Sequence, residues 1–449
     1  MKKRSIQRGI GSAFERITAL AEQRAVHEAF RWFHLHAQQL LREQAELVSI
    51  PAPPFAEAPR SEWIAARFAS IGLESVTTDA VGNVMARLPG AGKQDEAGTT
   101  ASQTVGVVVL SAHLDTVFPM DTPLTPTLRG DRLEAPGACD NAAGVVGMLA
   151  IAQAMLAAVG QSAAGWPGAE LWFVGNVGEE GEGNLRGMRH LYRHAPFRDR
   201  IRCHIVLDGA GAESAVTQAL GSRRFQVSMT GPGGHSFTDA GTANPILALS
   251  DALTRLAAAA QIDEASRTTF SVGTIQGGTS VNSIPESAMA AIDFRSTDST
   301  DLLRLEVALH RAVEDAVDHA NEAAREHAQR RQAAFVPLRA VIETIGDRPA
   351  GALPDDAPLL ETLRAVDRHL QLRTDPRLGS TDANWPISLG VPAISLGAGG
   401  EGGSPHTRAE WYCATDRELG LKRILLLTLA MLELAAKTAA GDSAERVHL

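Results

Sequence analysis

The stretch that most restricts what this chain can fold into is VVVLSAHLD, residues 107–115. Its first four residues are apolar and mostly β-branched, with no polar alternation. That pattern reads as a strand buried on both faces. Such a strand needs a parallel sheet with helices on either side, and in such sheets functional groups gather just past the carboxyl ends of the strands. His113 and Asp115 stand at that place. Two residues apart, they point the same way in extended backbone.

The pattern recurs along the chain. LWFVG (171–175) runs into Asn176-Val177-Gly178-Glu179-Glu180, and IVL (205–207) runs into Asp208-Gly209. Farther on, residues 391–396 lead through a glycine-rich loop to His406. Asp140 lies in a turn before a helical stretch at 142–159. Each has an ordinary reading alone: Asp140 as a helix N-cap, Glu179 and Glu180 as solvated loop charges. As a set, His, Asp, Glu, Asp and a second His after strand ends supply the donors of a carboxylate-rich two-metal site. Glu179 and Glu180, as sequence neighbours, are expected to face different ways, one ligating and the other standing over a water.

Outside these strands, residues 12–48 read as one helix, with Trp32, Phe33 and Leu40 in its core face. A second helix over 58–71 has Ser61 as its candidate cap, and 74–88 is strand-like. Residues 89–104 read as a surface loop without chemistry. Thr415 and Glu418 have capping-box spacing before the last helix. Residues 219–350 follow a different order, β-α-β-β-α-β, which is the split βαβ sandwich. The expected architecture is therefore α/β. A mixed, mostly parallel sheet is covered by helices on both faces and formed by 1–218 and 351–449. A ferredoxin-like lid or dimerisation domain, 219–350, is inserted into it.

Composition narrows the function classes. The formal net charge is −10 without a long basic run, which argues against nucleic acid as a partner. Three cysteines without a CxxC pair fit a reducing compartment. The basic N-terminus has no apolar segment behind it, so it does not read as a secretory signal. The apolar run at 424–432 is shorter than the roughly 20 residues a bilayer span requires. No membrane association is expected, and the expected location is cytoplasmic.

SAHLDTV, GACDNAAG, GNVGEEGEGNLRG, VLDG, GPGGHS, GGTSVNSIPESA and SPHTRAEW, in this order, resemble the M20 metallopeptidases. These are dinuclear zinc amidohydrolases that include aminoacylases, glutamate carboxypeptidase, deacetylases, desuccinylases and tripeptidase T. The resemblance covers nearly the whole chain. It implies two Zn2+ per chain, with Co2+ or Mn2+ as possible substitutes. His113 and Asp208 would hold one ion, Glu180 and His406 the other, and Asp140 would bridge both. Asp115 would orient His113, and Glu179 would be the general base, later returning its proton to the departing amine.

By the same resemblance, His235 of GGHS would reach into the active site of a second subunit and steady the oxyanion. That makes a homodimer through the inserted domain the expected assembly. Arg295 would clamp a substrate carboxylate, and Asn282 would bind that carboxylate or the oxyanion. The loop Gly379-Ser380-Thr381-Asp382 and the glycines from Gly399 to Gly403, Gly402 and Gly403 among them, would line the pocket. Glu410 reads either as a group supporting the ligands or as a surface ion-pair partner. Cys139, beside the bridging Asp, reads as a structural thiol.

The implied substrate is a small peptide or an N-acyl amino acid. Asp208 stands where deacylases of the group more often carry Glu, which favours the peptide. A deacylase with identical machinery is the first alternative, and a catalytically inactive binding homologue is the remote one.

Overall fold

The computed structural model describes residues 13–89, 105–159, 166, 169–260 and 262–445. The chain forms two compact units, Met1–Ala219 with Ala352–Leu449, and Leu220–Gly351.

The first unit is built on a mixed sheet. Its order is Glu74–Thr78, Val84–Arg87, Glu170–Asn176, Val107–His113, Ile201–Leu207, Ala393–Leu396 and Ser214–Ala219. The four strands from Glu170–Asn176 to Ala393–Leu396 are mutually parallel neighbours. Their carboxyl ends therefore lie side by side, and the polar turns that follow them converge. Every residue of Val107–His113 is buried. Val108 and Leu110 pack into a core shared with the helices Ala142–Val159 and Arg417–Glu445. Val107 and Val109 belong to a second core with Leu185, Met188 and Leu191. Apolar cover on both faces is the reason the strand carries no polar alternation.

Some boundaries differ from the sequence reading. The helix expected over 12–48 is interrupted at 22–23 and at His36, giving Arg24–Leu35 and Ala37–Val48. His36 leaves the helical region, and its ring Nδ1 sits 2.8 Å from the Trp32 carbonyl. Phe33 and Leu40 are buried as expected, and Trp32 is partly exposed. The strand-like 74–88 is a hairpin, because Asp79 Oδ1 accepts the N–H groups of Val81, Gly82 and Asn83 and folds the middle into a turn. Ser61 does not cap its helix; its hydroxyl donates to the Gly82 carbonyl. Nor does a capping box open the last helix, which begins at Arg417, since Glu418 pairs with His34 and Lys422 instead. Residue 12 and nearly all of the loop at 89–104 lie outside the described residues.

The second unit is an antiparallel sheet of four strands in the order Thr269–Gly277, Ser287–Ser296, Gly221–Thr230 and Arg339–Arg348. Helices Pro245–Ala259 and Ser299–Arg331 pack with it around Phe225, Val227, Leu249, Ile292, Phe294 and Leu309. The first helix is capped by Asn244, whose Oδ1 accepts from Ile246 and Leu247. The last strand begins at Arg339, and Arg295 lies inside the Ser287–Ser296 strand.

Candidate metal centre

Among the described residues of the first unit, His, Asp and Glu side chains gather in three groups whose donor atoms lie within 4.8 Å of one another. His113, Asp140 and Asp208 form one, and Asp140, Glu180 and His406 a second. Asp140 belongs to both, with one oxygen for each. Its Oδ1 is 3.1 Å from His113 Nε2, and its Oδ2 is 3.0 Å from His406 Nε2. Asp208 Oδ1 lies 3.8 Å from His113 Nε2, and Glu180 Oε1 lies 2.9 Å from His406 Nε2. The third group holds His113, Glu179 and Glu180.

The residues of the cluster are held from behind. Asp140 is not the helix cap, because the next residue takes that part. Asn141 Oδ1 accepts from Gly144 N–H and from Gly209 N–H, while its Nδ2 donates to the Leu207 carbonyl. One amide thus joins the Asp140 turn to the Asp208 turn. Residue 144 must be glycine, since a Cβ there would lie 2.2 Å from Asn141 Oδ1. His406 is aimed by a turn in which both Ser404 and His406 take positive φ, a sparsely used conformation for non-glycine residues.

The carboxylate of Asp115 does something different from what the sequence suggested. It is fully buried and accepts the N–H groups of Glu179 at 3.0 Å and Glu180 at 2.7 Å. His113 Nδ1 meets the Asp115 backbone carbonyl at 3.1 Å, whereas the nearest carboxylate oxygen is 3.8 Å away. The main chain orients the imidazole, and the side chain fixes the Glu179–Glu180 loop. That loop also corrects the expectation that the two glutamates face apart. They follow the strand end through Gly178 at positive φ, so strand alternation no longer applies and both converge on His113.

The electrostatics fit cation binding. Burial works to raise the Asp140 carboxyl, but the contacts with His113 and His406 outweigh it and hold the group well below the usual range. Burial, then the charges of Glu179 and Asp140, push Glu180 up to about 8. Asp140, followed by Glu180, pushes His406 up to about 9, against the effect of burial. Protons therefore occupy this cluster through neutral pH, in positions where divalent cations would balance the carboxylates. Asp140 Oδ1 is buried and makes no well-aligned hydrogen bond, although His113 Nε2 lies 3.1 Å away. Carboxylate and imidazole donors of this kind suit zinc and its neighbours, so the residues fit a metal pair.

A profile of Peptidase family M20/M25/M40 matches residues 109–430. The chain belongs to this family. Solved structures of peptidases and an amidase share its fold across nearly their whole length. Aminopeptidase PepT from Bacillus cereus superposes with a TM-score of 0.66 at 18% identity, covering 88% of this chain and 98% of that one. YXEP from Bacillus subtilis, described as a dinuclear metal binding peptidase of the M20 family, gives 0.59 at 15%, covering 89% and 99%. An amidase of the hydantoinase/carbamoylase family from Burkholderia phymatum gives 0.55 at 19%, covering 89% and 98%. No curated protein matches the sequence significantly. As an M20 peptidase or amidohydrolase, this protein is a hydrolytic enzyme with a cluster suited to metal. No helix among its described residues is long and apolar enough to cross a membrane.

The remaining expected residues divide between the units. Ser380 is half-buried in the loop after the Asp375–Gly379 strand. Gly402 and Gly403 lie on a short strand paired with Trp411–Cys413, and both have packing reasons to be glycine. A Cβ at 402 would strike the Cys139 sulfur, and one at 403 the Trp411 ring. Cys139 is a buried thiol pushed up to about 12 by burial, which makes it inert.

In the second unit, His235 is exposed on a two-residue strand opposite Ser283, and its Nδ1 accepts the Phe237 N–H. The Asn282 carbonyl accepts from Ser236 N–H, so these two residues are neighbours. Arg295 is not with them. It pairs with Ser222 and Thr269 at the opposite end of the sheet, and its Nε donates to Asp293 at 2.7 Å.

Two further supports stand behind the cluster, Glu410, which the sequence left open between two roles, and Arg60, which it did not single out. Glu410 is buried and accepts the N–H groups of Gly137, Cys139 and Asp140, which decides for support of the Asp140 turn and against a surface ion pair. Arg60 is buried as well and donates to the carbonyls of Ile50 and Leu114. Burial lowers its pKa to about 10, with Asp115 and Glu410 opposing, so it remains a cation beneath the cluster at neutral pH. Its sign in the sequence was a charge on the buried stripe Arg60, Ile64, Phe68.

Proposed function

We propose that this M20 enzyme hydrolyses an amide bond in a small peptide, using two zinc ions and Glu179 as general base. The observation that carries the proposal is the placement of the two Asp140 oxygens, each facing a separate His–carboxylate group. His113, Asp140 and Asp208 would hold one ion; Asp140, Glu180 and His406 the other. Bound there, the ions would polarise the scissile carbonyl and acidify a water. Glu179 is buried, fixed through its N–H by Asp115, and grouped with His113 and Glu180. From that position its carboxylate takes a proton from the water and delivers it to the departing amine. Cobalt or manganese would serve in place of zinc, since the same donors accept them.

In the second unit, His235 and Asn282 would stabilise the oxyanion, and Arg295 would hold a substrate carboxylate. The strand that separates the two ends of this sheet runs from Ser287 to Ser296, about 3.3 Å per residue, so the ends stand roughly 25 Å apart. Both groups cannot grip one small substrate from a single copy. That separation supports the reading that His235 serves a second copy in a homodimer. The Thr269–Gly277 strand at the sheet edge, with Val272 and Ile275 exposed, is the proposed seam. Ser380 and the backbone at Gly402 and Gly403 would border the substrate, and a cytoplasmic location fits the free cysteines.

The test is a panel of di- and tripeptides beside N-acetyl and N-succinyl amino acids, with zinc-loaded and chelator-treated protein. Zinc-dependent cleavage of peptides is expected. Turnover of N-acyl amino acids alone would establish the deacylase reading. Zinc uptake without turnover of either class would overturn this substrate assignment.

A further inference from the structure

Behind the metal cluster lies a buried acid that the proposed chemistry does not use. Asp382 is completely buried, in the turn between the Asp375–Gly379 strand and the short helix Asn384–Ser388. That turn is fixed locally: Thr381 N–H donates to Asn384 Oδ1, and Ala383 N–H to Thr381 Oγ1. Asp382 Oδ2 accepts from Asn176 Nδ2 at 2.7 Å. Asn176 is itself completely buried, three residues before Glu179, at the end of the strand that pairs with His113.

Each of these two side chains has one polar atom without a hydrogen-bond partner, Oδ1 of Asp382 and Oδ1 of Asn176. An ionised carboxylate only accepts, so it leaves the amide oxygen unanswered. A protonated carboxyl satisfies both atoms at once, donating O–H to Asn176 Oδ1 while its other oxygen accepts from Nδ2.

We propose that Asp382 is a neutral carboxylic acid locked in a two-point pair with the Asn176 carboxamide, an uncharged positioning residue for the loop that carries Glu179. The surroundings favour the neutral form. Burial raises this carboxyl well above its usual range, the negative charges of Glu179 and Asp115 add to the effect, and the Asn176 hydrogen bond and the positive charge of His113 only partly oppose it. The cluster already holds Asp115, Asp140, Glu179, Glu180 and Asp208, against His113, His406 and the buried Arg60. One more negative charge would make Glu179 hold its proton more tightly and release it less readily to the leaving amine. A carboxyl that keeps its proton provides the hydrogen bonds without that charge. A buried pair of this kind also fixes the Asn176 carbonyl, which accepts the Leu114 N–H between the two metal-site residues His113 and Asp115.

The part concerning Glu179 rests on the proposed hydrolase reading; the protonation state does not, and two experiments separate them. The first is infrared difference spectroscopy of the full-length wild type against Asp382→Asn at neutral pH, with and without added zinc. A carboxylic-acid C=O band present only in wild type is expected. Loss of carboxylate bands in its place would overturn the proposal whatever the enzyme's activity.

The second compares variants on whichever substrate the panel yields. Asp382→Asn can still donate from its amide, and it is expected to retain kcat/KM within about threefold, whereas Asp382→Ala loses about tenfold in kcat, the scale of a lost buried hydrogen-bond pair. The acid limb of the pH profile should be unmoved in Asp382→Asn. A limb shifted to lower pH would mean that a charge had been removed from beside Glu179, and would overturn the assignment. If Asp382→Ala does not fold, the asparagine variant and the infrared band still decide.

Discussion

The two units place their chemistry-bearing residues in opposite ways. In the first, the cluster residues follow parallel strand ends, and much of their support is buried. Asp115 accepts two backbone N–H groups and Glu410 three. In the second, His235 and Asn282 are exposed on a two-strand ribbon and its turn, and most of their bonds are to nearby residues. On the proposed function, the difference follows from what each set of residues would have to do. Groups that hold a charged ion against its own repulsion must be fixed before it arrives. A hydrogen-bond donor that completes a site only when substrate is present gains from standing on a separate, exposed element.

Four predictions would break or sharpen this contrast. The largest effect belongs to the first unit: Glu179→Gln is expected to lower kcat by about 10³-fold, within the usual range for a general base, while metal content by elemental analysis stays at wild type. Next, His235→Ala is expected to lower kcat by about 10²-fold, the scale of one oxyanion donor, with metal content and Tm unchanged. Mixed dimers of His235→Ala and Glu179→Gln subunits should recover part of the activity. No recovery in verified heterodimers would end the cross-subunit role.

Third, Glu410→Ala should weaken metal binding by about 10- to 100-fold, the usual cost of losing a group that supports a ligand. Competition with a chromogenic chelator measures it. The same titration on Asp293→Ala, which removes the Arg295 partner in the second unit, should show no change.

The smallest effect is on stability. His406 is raised from 6.5 to about 9, so what it contributes is complete below pH 6.5 and lost as pH rises through 9. Glu180, raised from 4.5 to about 8, acts in the same direction, since the folded state favours its protonated form. Metal-free protein should therefore melt a few degrees lower at pH 9 than at pH 6. Saturating zinc should reverse that trend, because deprotonated ligands bind the ion better. A metal-free Tm that rises over this range would contradict the cluster's electrostatics.

How much of this was legible in the residues can be judged from particular cases. Continuous apolar strands such as Val107–Leu110 and LWFVG gave away the two-sided sheet, the polar residues after strands pointed to His113, Glu180, Asp208 and His406, and Asp140 joined them from its turn before a helix. The antiparallel inserted unit was readable from its element order. Glu410 remained ambiguous and Arg60 unnoticed, because each acts on backbone groups distant in sequence, which leaves no local pattern. The facing of Glu179 and Glu180 was misread because a positive-φ glycine ended the strand alternation.

The sequence by itself thus determined which donors exist and that strand ends would carry them, since periodicity and residue chemistry are local properties. Only the tertiary structure decided how they are shared. It gave Asp140 one oxygen for each histidine, turned the Asp115 carboxylate toward the glutamate loop, set Arg295 at the far end of its sheet from His235, and buried Asp382 against Asn176. Those outcomes depend on strand order and on burial, which bring residues distant in sequence close together in an environment where buried polar atoms need partners.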